Sequence, residues 1–260
     1  MDESPTQYEP DPRPRYKLTL AYDGTKFHGW QKQITSSGET LRTVAGVVEQ
    51  ALQRSLRQAI NLIGASRTDS GVHARGQVAH FNAKLNIPIE RVAMALNSRL
   101  PKDVEVIAID PADAAFSAIR NATSKQYRYR IFNTARRPLT QRHVVWHCWQ
   151  PLEIEPMRQA AGRLIGTHDF AAFAAAAHGR TSTFRTIHDC RIETDPPQVH
   201  IVVAGSGFLY NMVRIIAGTL VEIGRGRLSV DIIEQMLLAG NRSQGGPTLP
   251  ASGLCLEWIK

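Results

Sequence analysis

Short stretches in which apolar and polar residues alternate, or in which apolar residues run together, recur along the chain and predict β-strands. In the first half these stretches are YKLTLAY, INLIG, VHARGQVAHF and VEVIAI. In the second half they are KQYRYRIF, HVVWHC, RTIHDCRIE, VHIVVAG and LCLEWI. In an alternating strand every second side chain points to the same face, so each of these strands is expected to turn one face toward a core.

Apolar residues spaced three and four apart predict helices between these strands. Thr40 is expected to cap the first helix, and Pro101 follows the second, whose stripe includes Ile89, Val92 and Leu96. Further helices are predicted over residues 156–165, around 209–220 and over 229–240. The order β-α-β-β-α-β therefore occurs twice, with one helix added in the second half. We expect an α+β fold of two pseudo-repeated, ferredoxin-like (RRM-like) halves, whose antiparallel sheets line a central basic cleft.

Composition suggests where these halves begin and end. Residues 1–14 contain four prolines and several acids but no apolar stretch, so they are expected to form a disordered tail without a signal peptide. The first half is then expected to span 15–115 and to carry an acidic loop, and the second to span 116–260.

The chain is strongly basic, with a formal net charge of +8 and a sequence pI of about 9.7. Such a charge favours a polyanionic partner, with nucleic acid as the first candidate. A membrane is not expected, because no run approaches the roughly 18 apolar residues of a spanning helix. Cys148, Cys190 and Cys255 are odd in number and far apart, so neither a disulfide framework nor a thiolate metal site is expected. A reducing, cytoplasmic location follows.

Asp69 stands alone as an acid in a basic neighbourhood. Between Glu49 and Glu90 it is the one carboxylate, among four arginines and Lys84. Its charge repels phosphate, so on a nucleic-acid surface it is expected to contribute chemistry rather than affinity. Period-two spacing puts Arg67 on the same face as Asp69, at a turn between two strands. The alternative is a turn residue that caps the backbone before a glycine.

Other segments offer candidate binding groups. Residues 114–152 contain seven basic residues and no acid, which predicts a continuous basic surface. The glycine-broken loop GTKFHGWQKQ also has the composition of a binding surface. Tyr127 and Tyr129 are either sheet residues or platforms for a nucleobase. Arg214 lies in an apolar helix, where a cation must either pair with an acid or reach solvent. We expect Asp69 to be its partner. The alternatives are that Arg214 extends to solvent or pairs with Glu222.

Several classes of site are not expected. His143 and His147 lie in a predicted strand, where residues four apart are too distant to share a metal ion unaided. The sequence has no P-loop, no dinucleotide-binding glycine pattern and no Gly-x-Ser-x-Gly elbow. We therefore predict no cofactor and no metal.

The motifs together resemble one family. Residues 67–74 (RTDSGVHA) and 76–81 (GQVAHF) are similar to the active-site motif of the tRNA pseudouridine synthase A family. Further motifs extend the resemblance from about Tyr16 to Trp258. They are YDGT with GWQ, Lys125-x-Tyr127-x-Tyr129, HDF, FLYNMVR and Gly253-Leu254-x-Leu256. This chain departs from the family pattern at four positions, Ser66, Ser70, Ile119 and Leu249.

The resemblance implies a cofactor-free homodimer that converts uridine to pseudouridine in the tRNA anticodon arm, at nucleotides 38, 39 and 40. It implies that Asp69 is the catalytic nucleophile and that Tyr127 contacts the target base. Arg67 would fill the space that the flipped nucleotide leaves, and Arg214 would pair with Asp69. Two other functions stay open on the residues alone, a non-catalytic RNA-binding protein and a glycosylase that releases free uracil.

Overall fold

Ten strands and five α-helices make up the fold in a computed structural model that describes residues 11–175 and 181–260. The strands are β1 (Arg15–Tyr22), β2 (Ile63–Gly64), β3 (His73–Asn82), β4 (Val104–Ala112), β5 (Lys125–Asn133), β6 (Trp146–Cys148), β7 (Gly166–Asp169), β8 (Phe184–Asp195), β9 (Gln198–Gly205) and β10 (Leu254–Ile259). The helices are α1 (Val44–Leu56), α2 (Ile89–Asn97), α3 (Ile154–Gly162), α4 (Met212–Gly224) and α5 (Ile232–Ala239).

All ten strands belong to one mixed, mostly antiparallel sheet, with the order β4-β1-β3-β10-β5-β9-β8-β7. The short strands β2 and β6 pair with β3 and β5. The predicted α+β class is confirmed, but the expectation of separate antiparallel sheets is wrong. β10 pairs antiparallel with β5, and on its other edge Cys255 and Leu256 pair parallel with His73 and Ala74. Both edges of β10 thereby satisfy backbone donors and acceptors, which joins the two halves of the chain.

The observed ends of several helices differ from those predicted from the spacing of apolar residues. The cap of α1 is Thr43 and not Thr40, because the Thr43 hydroxyl accepts a hydrogen bond from the Gly46 amide at 3.4 Å. Thr40 instead forms an isolated β-bridge with Ile34. α3 begins earlier than predicted and both α3 and α5 are shorter. α5 ends at Ala239 and is capped by Gly240, whose left-handed backbone (φ 65°) suits a residue without a Cβ.

The apolar faces of both halves meet in one large core. Phe27 and Trp30 belong to it, each only 2% exposed, although their loop was predicted to be a binding surface. That prediction is wrong for Phe27, which is buried and does not line the cleft described below, whereas Trp30 does line it despite its burial. Gln31 and Lys32 in the same loop do line the cleft described below.

The predicted tail, 1–14, falls mostly outside the described residues, since the description starts at Asp11. From Asp11 onward the backbone contacts the sheet. The Asn82 side-chain amide donates to the carbonyls of Asp11 (3.1 Å) and Arg13 (2.9 Å), and the Ala83 amide donates to the carbonyl of Pro14. None of the described helices has the length and apolar character needed to span a membrane.

Candidate active site

A cleft of about 870 Å³ opens where three segments meet: the loop of residues 65–72, the start of β5, and residues 208–214 leading into α4. We call the first of these the Asp69 loop. Four predicted site residues, Arg67, Asp69, Tyr127 and Arg214, all line this cleft. The fold therefore brings together side chains from both halves of the chain.

The Asp69 loop is held from below by residues 27–30. The Trp30 amide donates to the carbonyl of Thr68 at 3.0 Å, and the Phe27 carbonyl accepts from the Gly71 amide and the Ser70 hydroxyl. Gly29 has a positive φ of 85°, and a Cβ there would lie 2.6 Å from the Thr68 carbonyl oxygen. Close approach of the two segments thus requires glycine at this position. The result is a turn in which the Asp69 side chain is 25% exposed toward the cleft.

Arg214 reaches Asp69 from α4. Its Nη1 lies 3.4 Å from Asp69 Oδ2, the contact expected from the sequence. The guanidinium is held mainly by other groups, because Nε donates to the Leu249 carbonyl at 2.7 Å and Nη1 to Asn211 Oδ1 at 2.7 Å. The alternative partner, Glu222, instead bonds to two arginines just beyond the end of α4. A fixed cation therefore stands beside the Asp69 carboxylate.

Burial raises the pKa of Asp69 above its ordinary value, while the charge and hydrogen bond of Arg214 act in the opposite direction. Arg214 is the one side-chain partner of this carboxylate within the described residues. Among the described residues that line the cleft, Asp69 is also the sole carboxylate. Because the Asp69 carboxylate accepts few hydrogen bonds, its oxygens are available to a substrate. Its raised pKa also makes the carboxylate more basic.

Tyr127 lies on the cleft wall and is 6% exposed as a residue. Its hydroxyl is 3.1 Å from Ser66 Oγ, and its ring packs edge-on against Phe208 at 5.2 Å between centroids. Burial is the main cause that raises the pKa of Tyr127 to about 12, so the hydroxyl stays protonated at neutral pH. Tyr129 is fully buried away from the cleft, and its hydroxyl donates to the Pro250 carbonyl at 2.8 Å.

The basic side chains around the cleft differ in whether other groups of the protein already bind them. Arg67 is exposed and forms no hydrogen bond or ion pair with the described residues. Lys32 pairs with Glu49 at 2.7 Å, and the Lys125 ammonium donates to the Ala65 carbonyl at 2.8 Å. Arg67 therefore offers its full hydrogen-bonding capacity to a ligand.

The continuous basic surface predicted for residues 114–152 is interrupted. Arg128 Nη1 lies 2.6 Å from Glu193, and Arg130 Nη2 lies 2.9 Å from Glu257. The prediction is wrong at these two positions, because strands β8 and β10 bring acids from distant parts of the sequence. In contrast, Arg136 and Arg137 are exposed and have no ion-pair partner among the described residues.

Sequence reasoning did not identify the groups that hold the predicted residues in place. Asn211 and Leu249 fix Arg214, and Ser66 bonds to Tyr127. Ser66 and Leu249 stood out as departures from the family pattern, which was the one signal available for them. No group of three potential metal-ligating side chains occurs in the described parts of the chain, and all three cysteines are free and buried.

Comparisons with known proteins agree with the resemblance in the motifs. The family described as tRNA pseudouridine synthase matches residues 19–120 and 160–260. The chain is 43% identical over 239 residues to tRNA pseudouridine synthase A of Thermoanaerobacter sp. (strain X514), covering 92% of this chain and 96% of the relative. It is 43% identical to the protein of that name from Moorella thermoacetica, covering 95% of this chain and 99% of the relative. It is 40% identical to tRNA pseudouridine synthase A 2 of Clostridium perfringens, covering 94% and 98%.

Proposed function

The chain belongs to the tRNA pseudouridine synthase family, and from this premise we propose that it isomerises uridine to pseudouridine in the anticodon arm of tRNA, at nucleotides 38, 39 and 40. The family supports the reaction and the tRNA substrate. The motif resemblance supports the finer choice of the anticodon arm. One structural observation carries the proposal for this chain: a single underbonded carboxylate, Asp69, lies beside a fixed cation in a cleft between the two halves.

The reaction makes a specific demand on the site. The bond between N1 of uracil and C1′ of ribose breaks, the base rotates, and C5 bonds to C1′ while its proton leaves and N1 gains one. Atoms balance without water, so one group that can attack the nucleoside and later leave is sufficient. Asp69 is proposed as that nucleophile, with attack at the sugar and attack at the base ring both compatible with its position.

The other cleft residues receive roles consistent with their geometry. Arg214 pairs with Asp69, and its charge favours the ionised carboxylate against the effect of burial. Tyr127 is proposed to contact the target base through its ring edge and its protonated hydroxyl. Arg67 is exposed and unpaired within the described residues, which suits a side chain that fills the position a flipped nucleotide leaves.

Hydrolysis is a poorer fit to the same cleft. Glycoside hydrolases place two carboxyl groups about 5 to 10 Å apart across the scissile bond. Within the described residues the cleft wall carries Asp69 and no second acid. This supports isomerisation over release of free uracil.

Strand order supports the proposed pseudo-repeat, and the residues that line the cleft support its basic character. β2 pairs with β3 on the edge opposite β1, which gives the order β4-β1-β3-β2 in the first half. The second half contains the corresponding order β10-β5-β9-β8. Arg67, Lys32 and Lys125 line the cleft between the two halves. The family resemblance supports a homodimer, which light scattering of the purified protein tests, and a cytoplasmic location.

One assay separates the candidate functions. Purified protein is incubated with a tRNA transcript that contains uridine at nucleotides 38 to 40, and the products are mapped by position. Pseudouridine retained in the chain at these nucleotides supports the proposal. Free uracil would identify a glycosylase, and tight binding without conversion would identify a non-catalytic RNA-binding protein.

A further inference from the structure

Gln77 is a fully buried polar side chain on β3, behind the cleft. Its amide brackets one residue of the Asp69 loop: Nε2 donates to the Ser66 carbonyl at 2.7 Å, and Oε1 accepts from the Ser66 amide at 3.3 Å. β2 has already ended at Gly64, and the backbone contact of the loop with β3 ends where the Ala65 amide donates to the Val78 carbonyl. The Gln77 side chain therefore continues the sheet by one residue, in the manner of a neighbouring strand.

The contacts of Gln77 lead to both reactive groups of the cleft. Its Nε2 also lies 3.5 Å from the Tyr22 hydroxyl, which is 2.8 Å from Thr68 Oγ1, and Thr68 directly precedes Asp69. On the other side, the Ser66 hydroxyl lies 3.1 Å from that of Tyr127. All of these side chains are buried, with Gln77 and Tyr22 behind the cleft wall, so water does not readily replace a lost partner.

We propose that Gln77 is a positioning residue that holds Ser66 and Thr68 in place and thereby sets the relative positions of the Asp69 carboxylate and the Tyr127 hydroxyl. It acts through these neighbours and does not contact the substrate, since its own side chain has no exposed surface. The inference rests on the proposed isomerase function. Its physical basis is that productive geometry at a reacting centre tolerates errors of only a fraction of an ångström.

The test replaces Gln77 by Met, which has a similar length but no amide. We expect Gln77→Met to lower the single-turnover rate on the tRNA transcript by roughly 10- to 100-fold, the range that a misplacement of about 1 Å can produce. The dissociation constant for tRNA should stay close to that of the wild type, because the cleft surface and its cations are unchanged. A rate loss without a binding loss separates positioning from substrate recognition.

The chain offers a matched control at Asn97. Its amide brackets Val106 as that of Gln77 brackets Ser66, with Nδ2 donating to the Val106 carbonyl at 2.9 Å and Oδ1 accepting from its amide at 2.8 Å. This bracket joins α2 to β4 and does not line the cleft. Asn97→Leu should destabilise the fold by a similar mechanism yet leave the rate unchanged. Equal rate losses in the two variants, or a wild-type rate in Gln77→Met, would overturn the proposal.

Tyr22→Phe is the milder second variant, because it removes only the hydroxyl between Gln77 and Thr68. It should slow single turnover less than Gln77→Met with unchanged tRNA binding. If Gln77→Met does not fold, Tyr22→Phe decides: a slower rate with intact binding supports the positioning role, and a wild-type rate overturns it. Wild-type protein that leaves the transcript unconverted would instead contradict the proposed function itself, so the two failures are distinguishable.

Discussion

Two groups of ion pairs in this molecule follow opposite designs. On the sheet, Glu193 and Glu257 accept short contacts from Arg128 and Arg130, at 2.6 and 2.9 Å. In the cleft, Arg214 approaches Asp69 no closer than 3.4 Å. The hydrogen bond from Arg128 is the main cause that lowers the pKa of Glu193, whereas burial raises that of Asp69.

The difference shows how one chain makes one carboxylate structural and another reactive. Charge-assisted hydrogen bonds from arginines restrict both sheet acids, and at Glu193 they also lower the basicity of the carboxylate. Arg214 gives its shortest bonds to Asn211 and Leu249, so it supplies charge to Asp69 through only one long contact, to Oδ2. A carboxylate that is desolvated but underbonded is available for attack.

The largest expected effect on turnover comes from replacing Asp69, the reactive carboxylate of the cleft. Asp69→Asn should abolish conversion of uridine, because an amide is not a nucleophile of comparable strength. Affinity for tRNA should stay the same or rise slightly, because the variant lacks a charge that repels phosphate. Single-turnover kinetics and equilibrium binding on the same transcript measure the two effects separately.

Glu193→Gln is the control for Asp69→Asn. It removes an acid from the saturated group on the sheet and should reduce stability modestly while turnover is unchanged. Appreciable pseudouridine formation by Asp69→Asn, or loss of tRNA binding by the folded variant, would show that Asp69 is not the nucleophile.

Arg214→Gln should have the next largest effect. The Arg214 cation lowers the pKa of Asp69 and opposes the effect of burial, so its loss should raise that pKa further. A higher pKa leaves less ionised carboxylate at a given pH, and the acid limb of the pH–rate profile should therefore move to higher pH. Arg214→Lys retains the charge, so its acid limb should lie close to the pH of the wild-type limb. An unmoved limb in Arg214→Gln would mean that the titrating group is not Asp69.

The two tyrosines of β5 provide a smaller, sharper comparison. Tyr127→Phe should bind tRNA normally but react more slowly, since it keeps the ring and loses the protonated hydroxyl beside Ser66. Tyr127→Ala should also lose binding, because contact between an aromatic ring and a base contributes about 1 to 3 kcal/mol. Tyr129→Phe is the control, as its hydroxyl bonds to Pro250 away from the cleft. A slow Tyr129→Phe with a normal Tyr127→Phe would reverse the assignment.

The smallest effect concerns charge alone. Replacing Arg136 and Arg137 together by Gln should weaken tRNA binding and flatten the plot of log affinity against log salt by roughly two phosphate contacts. Arg128→Gln should leave that slope unchanged, because its charge is already used by Glu193. It should lower the free energy of unfolding only modestly instead, since Glu193 keeps its ion pair with Arg191. Equal slopes in wild type and the double variant would show that Arg136 and Arg137 do not contact phosphate.

Much of the site could be predicted because its members are anomalies in local sequence. Asp69 is an acid among cations, and Arg214 is a cation in an apolar helix, so each requires a partner that its own neighbourhood does not supply. Their contact at 3.4 Å agrees with that reasoning. Alternation along β5 puts Tyr127 and Tyr129 on one face of the strand, and both side chains are buried.

What the sequence did not predict depends on contacts between distant segments. Gln77 lies within a strand and has no local feature to mark it as the bracket of Ser66. Arg128 and Arg130 form part of an acid-free tract, and only strand pairing reveals the acids opposite them. The joining of the two halves into one sheet required β10 to accept partners on both edges, which a pattern within six residues does not encode.

The central place of β10 has a consequence for synthesis on the ribosome. Residues 254–259 are translated after all the strands that they join, so β3 and β5 emerge with one edge uncovered along the stretch that β10 later fills. Until β10 is inserted, those edges can pair with other chains, and nascent chains in this state are targets for chaperones. Closing the sheet requires contacts between residues far apart in sequence, which slows folding. A chain that ends before Leu254 lacks the strand that joins the two parts of the sheet, so we expect incomplete products to be inactive as well as prone to aggregation.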